Sequence, residues 1–296
     1  MCGILGSSFF PETGMLDSRE FEMEIRNKFE EALFTLSHRG PDAMGSTMFF
    51  NEGVLLGHTR LSIQDLSSAG AQPMISIDEQ YIITFNGEIY NFPELKVGLL
   101  ELGYKFLSNT DTEVILYLYV EHGMDCLAML DGIFALAIFD KAKETLIVAR
   151  DGLGVKPLYY YCYDGRFVFG SELKAVELLL VDRDLTLDRN SINRYLTFQW
   201  CPGEGSPFAE IKKHNPGEAL VIKHGAIIKK HTFYQLPIVR QSKKRASICV
   251  SEVISHLDAN LRKAVHDQML SDAPVGAFLS GGLDSTSVVA FAKEVD

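Results

Sequence analysis

Short β-branched and aromatic runs bounded by Gly, Asp and Asn dominate the first 190 positions: GVLLGHTRLSI (53–63), QYIITFNGEIYN (80–91), FALAIFD (134–140), TLIVARD (145–151) and RFVFGSE (166–172). Such runs predict strands. Between them, 17–36 and 111–122 repeat apolar residues at helical spacing and predict helices. Thr110 or Asp111 is the expected N-cap of the second, with Glu113 in its first turn. This mixed order with short connections predicts a layered α+β architecture.

From 187 to 234 the chain is punctuated by Gly and Pro (CPGEGSP, HNPGEA), with a candidate hairpin at ALVIKHGAIIKKH. QLPIVRQSKKRAS (235–247) reads as a linker whose small basic cluster is a solvated loop. Residues 250–270 have helical periodicity, and the tail SDAPVGAFLSGGLDSTSVVAFAKEVD predicts a strand at 275–279, a Gly-rich turn and a helix from near Asp284. The expected division is a domain at 2–190, a connecting segment with hairpin and linker at 191–248, and a further domain beginning at 249–296. One strand and two helices cannot bury a core, so 250–296 should be poorly stable alone.

The chain has 296 residues, 28 Lys+Arg against 39 Asp+Glu, and a formal net charge of −11. Its 47% hydrophobic and 23% charged residues are ordinary globular composition and argue against a disordered chain. The acidic balance argues against nucleic acid as partner. No apolar stretch approaches the roughly 20 residues of a membrane span, and MCGILGSSFF lacks a basic leader. A soluble, cytoplasmic protein is expected. Five widely spaced cysteines with no CxxC pair suggest neither a disulfide framework nor a zinc site. Cys126, Cys162, Cys201 and Cys249 are expected as small buried apolar residues.

Cys2 differs by its place. Removal of Met1, which a small second residue permits, leaves Cys2 with a free α-amine beside its thiol. The amine's ordinary pKa of about 7.7–8.0 suits it to take the thiol proton. An incidental residue at a frayed terminus is the other reading of a lone Cys2. Gly3-Ile4-Leu5-Gly6 leads directly into a buried strand.

Six motifs follow in order: MCGILG, HRGPD (38–42), GHTRLSIQDLSSAGAQPM (57–74), FNGEIYN (85–91), SNTDTE (108–113) and ARDGLGVKPLYY (150–161). In this order they resemble class II glutamine amidotransferases, and LSGGLDST (279–286) narrows the resemblance to the asparagine synthase (glutamine-hydrolysing) family. The resemblance implies a four-layer αββα N-terminal-nucleophile hydrolase sandwich, followed by the truncated beginning of an α/β nucleotide-binding domain of the ATP-pyrophosphatase type. It implies Cys2 as nucleophile, with the Asn86 side chain and the Gly87 backbone N–H as oxyanion hole. From the residues alone Asn86-Gly87 reads as a type I′ hairpin turn. Arg60 resembles the residue that pairs with the glutamine α-carboxylate, and is otherwise a strand-edge ion pair. Asp111 resembles the holder of the α-ammonium, a role compatible with helix capping. Glu88, Leu61 and Ile63 complete the implied pocket. His38 and Arg39 brace it, and His58 is structural.

SGGLDST is not a Walker A loop. It is a strand-to-helix turn whose backbone N–H groups make an anion site, or simply a capped turn. The resemblance implies that Ser280, Gly281, Gly282, Ser285 and Thr286 hold ATP phosphates, that Leu279 lies against the nucleotide, and that Asp284 ligates Mg²⁺. The implied reaction has two halves. Cys2 hydrolyses glutamine to glutamate and ammonia, which crosses inside the protein. The ammonia then aminates an adenylated aspartate, giving asparagine, AMP and pyrophosphate. No stretch of sequence marks the ammonia path.

Two departures qualify this. Family members continue through a large domain beyond the position of Asp296, so the chain is expected to be a fragment, a truncation or one piece of a split enzyme. A homodimer, or association with a separate synthetase chain, would fit. Gly152 stands where the family often has Arg, which puts a local contact in doubt. Two other readings stay open: an amidotransferase acting on a different carboxylate, such as a sugar acid, and a catalytically idle truncation.

Overall fold

A computed structural model describes residues 1–9, 19–180, 182–238 and 249–294. The chain divides into two compact units, Met1–Gln235 and Leu236–Asp296.

The first unit is built on two six-stranded sheets in which every neighbouring pair is antiparallel. One contains β1 (Gly3–Phe9), β2 (Ala43–Phe49), β3 (Val54–Arg60), β8 (Tyr159–Tyr163), β9 (Arg166–Gly170) and β10 (Ile211–Lys213), in the order β10-β8-β9-β1-β3-β2. The other contains β4 (Met74–Ile75), β5 (Tyr81–Ile89), β6 (Gly132–Asp140), β7 (Thr145–Arg150), β11 (Glu218–Lys223) and β12 (Ala226–Thr232), in the order β12-β11-β7-β6-β5-β4. α1 (Arg19–Phe34) and α4 (Leu173–Leu178) cover the first sheet, while α2 (Phe92–Glu101) and α3 (Asp111–His122) cover the second. α5 (Arg189–Phe198) follows α4 in the chain. The four αββα layers enclose three apolar clusters, one between the sheets and one under each helical layer.

The pleat sorts side chains between these clusters, because successive strand residues point to opposite faces. On β1, Ile4 packs between the sheets and Leu5 under α1 and α4. On β3, Val54 and Leu56 face the second sheet and Leu55 faces away. On β5, Ile82 faces the first sheet, whereas Ile83 and Phe85 pack under α2 and α3. Continuing each parity to the end of its strand turns Cys2, Arg60, Asn86 and Glu88 into the slot between the sheets. Three core faces thus deliver four polar side chains to one place.

The five strands expected before residue 190 all form, and α3 has the expected bounds. The helix expected over 17–36 begins at Arg19 and ends at Phe34; residues 17 and 18 lie outside the described residues. The hairpin at 219–231 forms with His224 and Gly225 at its turn, both at positive φ (49° and 73°), as a type I′ turn requires. The segment expected as a connection contributes β10, β11 and β12 to the two sheets: β10 pairs with β8, and β11 with β7. Both would otherwise be bare hydrogen-bonding edges. Residues 239–247 of the expected linker lie outside the described residues.

The second unit differs more from expectation. α6 (Val250–Gln268) and α7 (Leu283–Ala292) form, yet neither buries a residue. Residues 275–279 are not a strand, and Phe278 is fully exposed. Among the described residues no neighbouring strand is available to pair with them, and a lone extended segment leaves its main-chain groups unpaired. Cys126 is buried as expected, Cys162 and Cys201 are half-buried, and Cys249 is exposed at the head of α6, where no core receives it. No described helix is long and apolar enough to cross a membrane.

Gly152 has a local explanation. A Cβ there would lie 2.5 Å from Cδ1 and 2.8 Å from Cγ of Tyr234. The Tyr234 ring thus occupies the space a side chain at 152 would need. Gly152→Arg should destabilise the first unit by about 1–3 kcal/mol, measured by urea unfolding, and the additional change Tyr234→Ala should recover part of that loss. Full additivity of the two substitutions would count against this packing.

Candidate active site

The slot between the sheets ends in a narrow cleft with about 40 Å³ of free space. Cys2, Arg60, Leu61, Ile63, Gly87, Glu88 and Asp111 all line it, so residues far apart in the chain meet in one place. The Cys2 thiol lies against Leu61, whose N–H points to Sγ at 3.4 Å and whose carbonyl is 3.6 Å away. Burial raises the Cys2 pKa, against the opposing pull of the Leu61 main-chain bond. A thiol so placed needs a base to become a nucleophile. The α-amine of Met1 is held below its ordinary value by burial, which Cys2 opposes and Lys156 and Arg39 reinforce.

Asn86 and Gly87 sit inside β5, opposite Ala135 and Phe134 of β6, and not at a hairpin turn. The Asn-Gly turn signal fails because regular pairing continues on both sides of it. Both side-chain polar atoms of Asn86 are buried without a hydrogen-bond partner. Such a group is destabilising by about 1–3 kcal/mol unless something binds it. Phe85 N–H donates to Gln72 Oε1 (2.7 Å) and Ile89 N–H to Asp111 Oδ2 (2.9 Å), both away from β6. The N–H of Gly87 shares their parity and so points along the same edge, between those two bonds. A Cβ on Gly87 would come within 2.4 Å of the Ile133 carbonyl, so the glycine is also demanded by the neighbouring strand.

Arg60 is buried, 7% exposed. Its guanidinium donates to the carbonyls of Ser67 (2.7 Å), Asp65 (2.5 Å) and Gln64 (3.3 Å), which curls the 61–70 loop around it. Among the described residues it forms no salt bridge, so the strand-edge pair that the sequence also allowed does not form. The cap of α3 is Thr110, whose hydroxyl accepts from Glu113 N–H. Glu113 in turn accepts from the N–H groups of Leu107 and Ser108. Asp111 is thereby released from capping and turns its carboxylate to the cleft.

Burial, and then the negative charge of Asp111, raise the Glu88 carboxyl to about 8. Burial raises Asp111 to about 7, despite the Ile89 and Thr112 hydrogen bonds. Two buried carboxylates close together resist ionising, and a cation between them relieves both.

Three residues outside the sequence expectation belong to the site. Gln64 Nε2 donates to Glu88 Oε2 at 2.7 Å, and its Oε1 accepts from Asp111 N–H at 3.4 Å. Gln72 ties β5 to Thr112 on α3. Lys156 is 7% exposed, and its positive charge acts on Glu88 and Cys2 while burial lowers its own pKa. Gln64 and Lys156 lie within recognised motifs, but their contacts cross between elements that no spacing relates. Arg39 Nε donates to the carbonyl oxygen of Cys2 at 2.9 Å, and His38 bonds Glu172 and Thr35, both bracing the site as expected. His58 is structural: its Nε2 meets the Phe85 carbonyl at 3.1 Å, and burial lowers its pKa to about 3.

The second unit carries its own cluster. Gly281 (φ 79°) turns the chain and Gly282 heads α7 with no side-chain cap. Ser280 and Ser285 bond each other at 2.9 Å, while Ser285 and Thr286 bond the Gly282 carbonyl. Leu279 and Asp284 are exposed. Uncapped N–H groups ringed by hydroxyls suit phosphate oxygens. Among the described residues no cluster of three or more His, Cys, Asp or Glu could hold a metal. A cation at Asp284 would therefore need phosphate oxygens as further ligands.

Residues 1–234 match a family model described as a glutamine amidotransferase domain, and residues 256–296 one described as asparagine synthase. The chain is 36% identical to asparagine synthetase [glutamine-hydrolyzing] 1 of Bacillus subtilis, over 99% of this chain and 44% of that protein. It is also 36% identical to putative asparagine synthetase [glutamine-hydrolyzing] 2 of Methanocaldococcus jannaschii, over 99% of this chain and 57% of that one. Amidase chry2 of Gibberella zeae is 31% identical over 97% of this chain and 42% of its own length. The chain therefore spans about half the length of the relatives it matches. Among solved structures, glutamine phosphoribosylpyrophosphate amidotransferase of B. subtilis shares the fold, with a TM-score of 0.55 at 20% identity, covering 99% of this chain and 64% of that one.

The two buried carboxyls make stability depend on pH in a definite direction. Their folded pKa values lie above those of the unfolded chain, so the contribution of the protonated forms is complete below about pH 4 and is lost as pH rises to about 8. Ligand-free protein should thus melt at lower temperature at pH 8 than at pH 6, and Glu88→Gln should flatten that slope. A Glu88→Gln melting profile parallel to that of the unaltered chain would contradict the assignment.

Proposed function

Since the chain belongs to the glutamine amidotransferase family, we propose that its first unit hydrolyses glutamine through Cys2 and releases ammonia for a synthetase reaction that makes asparagine. The observation that supports this reading is the Asn86 amide, buried and unpaired among the described residues: Asn86 is not itself a lining residue, but its strand neighbours Phe85 and Gly87 line the same cleft as Cys2.

With Met1 removed, the α-amine of Cys2 takes the thiol proton. The thiolate attacks the side-chain carbonyl carbon of glutamine. The Asn86 Nδ2–H and Gly87 N–H receive the resulting oxyanion, where each such donor is worth about 3–4 kcal/mol. The cysteine ammonium returns its proton to the leaving nitrogen, ammonia departs, and a thioester remains on Sγ. Water then attacks the thioester, releasing glutamate and restoring the thiol. Arg60 pairs with the substrate α-carboxylate, while Asp111 and Glu88 share its α-ammonium. Leu61 and Ile63 form the wall beside Sγ.

In the synthetase reaction of this reading, ATP would activate the acceptor carboxylate, here aspartate, with AMP and pyrophosphate as products. Ser280, Gly281, Gly282, Ser285 and Thr286 would hold phosphate oxygens, Leu279 would lie against the nucleotide and Asp284 would face Mg²⁺. A homodimer or a paired synthetase chain in the cytoplasm accompanies this reading. A second reading is the same glutaminase serving another acceptor carboxylate, such as a sugar acid. Formation of AMP with aspartate, compared against other carboxylates, separates the two.

Protein lacking Met1 should release glutamate from glutamine, and Cys2→Ala should abolish the release. Undiminished release by that variant ends the nucleophile assignment, while no release by the unaltered chain favours an idle truncation. Asn86→Ala should lower kcat by about 10²–10³-fold. Asp111→Asn should chiefly raise KM, and the unaltered enzyme should show KM for glutamine rising as pH falls below about 7, where Asp111 becomes protonated.

A further inference from the structure

Cys2 stands one residue outside the β1 ladder, which begins at the pair Gly3 and Thr59. A chain end in that position frays unless something ties it down. The tie is made from an unexpected side. The β1·β9 ladder ends at Leu5 and Gly170, but the next two residues carry it on. Ser171 N–H donates to the Ile4 carbonyl (2.9 Å), and Ile4 N–H donates to Ser171 Oγ (3.0 Å). Glu172 then binds Arg39, NH1 to Oε1 at 3.0 Å, and Arg39 Nε donates to the Cys2 carbonyl at 2.9 Å. His38 Nε2 shares the same Glu172 oxygen at 2.8 Å, and Lys174 Nζ meets its other oxygen at 3.3 Å.

We propose that Glu172 is a positioning residue for the nucleophile: by fixing Arg39 it fixes the main chain of Cys2, and with it the aim of Sγ toward Asn86 and Gly87. The inference rests on the reading of Cys2 given above. Ordinary surface ion pairs contribute little, but here the Arg39 end of the pair is buried. The Arg39 side chain is 9% exposed and that of Glu172 is 26% exposed. Burial disfavours the Glu172 carboxylate, yet the bonds from Arg39, His38 and Lys174 outweigh it and hold its pKa below the ordinary value. The group is therefore a charged strut at neutral pH. None of its partners lines the cleft, so substrate anchoring is left to other residues.

The test compares Glu172→Ala and Glu172→Gln with the unaltered enzyme in steady-state glutamine hydrolysis, and in alkylation of Cys2 by a diazoketone analogue of glutamine. A misplacement near 1 Å at the reacting atom lowers the rate by about 100-fold, which is the kcat loss expected of Glu172→Ala. Glu172→Gln keeps the acceptor but loses the charge assistance of its bonds, and should lose about tenfold. In both, KM for glutamine should stay within about twofold and alkylation should slow in step with kcat. Should Glu172→Ala fail to fold, Glu172→Gln decides alone. Unaltered kcat in Glu172→Gln, or a KM increase without loss of kcat, overturns the proposal. Cys2→Ala measured alongside keeps the two ideas apart: activity surviving in Cys2→Ala refutes the nucleophile itself, whereas its loss there with normal Glu172→Gln refutes only the strut.

Discussion

Two hydrogen bonds between facing sheets hold the arrangement on which everything else depends. His58 on β3 meets the Phe85 carbonyl on β5, and Thr84 on β5 donates to the Gly57 carbonyl on β3. Both lie in a dry apolar layer, where a polar group must be paired. A carbonyl can only accept, so the neutral imidazole must carry its proton on Nε2. These bonds set the spacing between β3 and β5 immediately behind the cleft. Arg60, two residues beyond His58, and Asn86, two beyond Thr84, inherit that spacing. The distances across the cleft thus rest on a pair of contacts set back from it.

The cleft gathers polar groups whose burial is unfavourable in itself. An amide with no partner, a guanidinium bonded only to carbonyls and two carboxyls crowded out of water are each destabilising in isolation. Under the proposed function they would receive, in that order, the oxyanion, the carboxylate and the ammonium of glutamine. Gln64 meanwhile places its own side-chain amide across Glu88 and the Asp111 N–H. That contact satisfies part of the polar demand, and it accounts for the small free space in the cleft. The surrounding αββα core, with its three apolar clusters, supplies the stability that such an arrangement consumes.

The two units contrast in the same physical terms. The first closes three cores and pairs the edges of both sheets with a late hairpin and a short strand. The second has a phosphate-suited turn at the head of α7 but buries nothing along α6 or α7. Helices of this length gain most of their stability from packing an apolar face, not from propensity. Its match to a family whose members are about twice the length of this chain is in keeping with exposed residues such as Phe278 and Leu283.

What the sequence determined by itself was local or motif-borne. Five of the strands before residue 190 (β3, β5, β6, β7 and β9), α3 and the His224-Gly225 turn follow from side-chain period and turn chemistry, which act over a few residues. The cleft residues were legible because ordered motifs carried them, and Gly152 stood out as a departure from one. Tertiary structure alone decided the rest. Asn86-Gly87 became mid-strand because β6 pairs across it; residues 275–279 stayed unpaired because, among the described residues, no strand lies beside them. Thr110, not Asp111, caps α3, since Ile89 claims the aspartate. The edge pairing of β10–β12, the Tyr234 ring over Gly152, the Gln64 bridge and the chain from Glu172 through Arg39 to Cys2 were likewise invisible. Each joins residues far apart along the chain, and packing brings such residues together by geometry that no local pattern encodes.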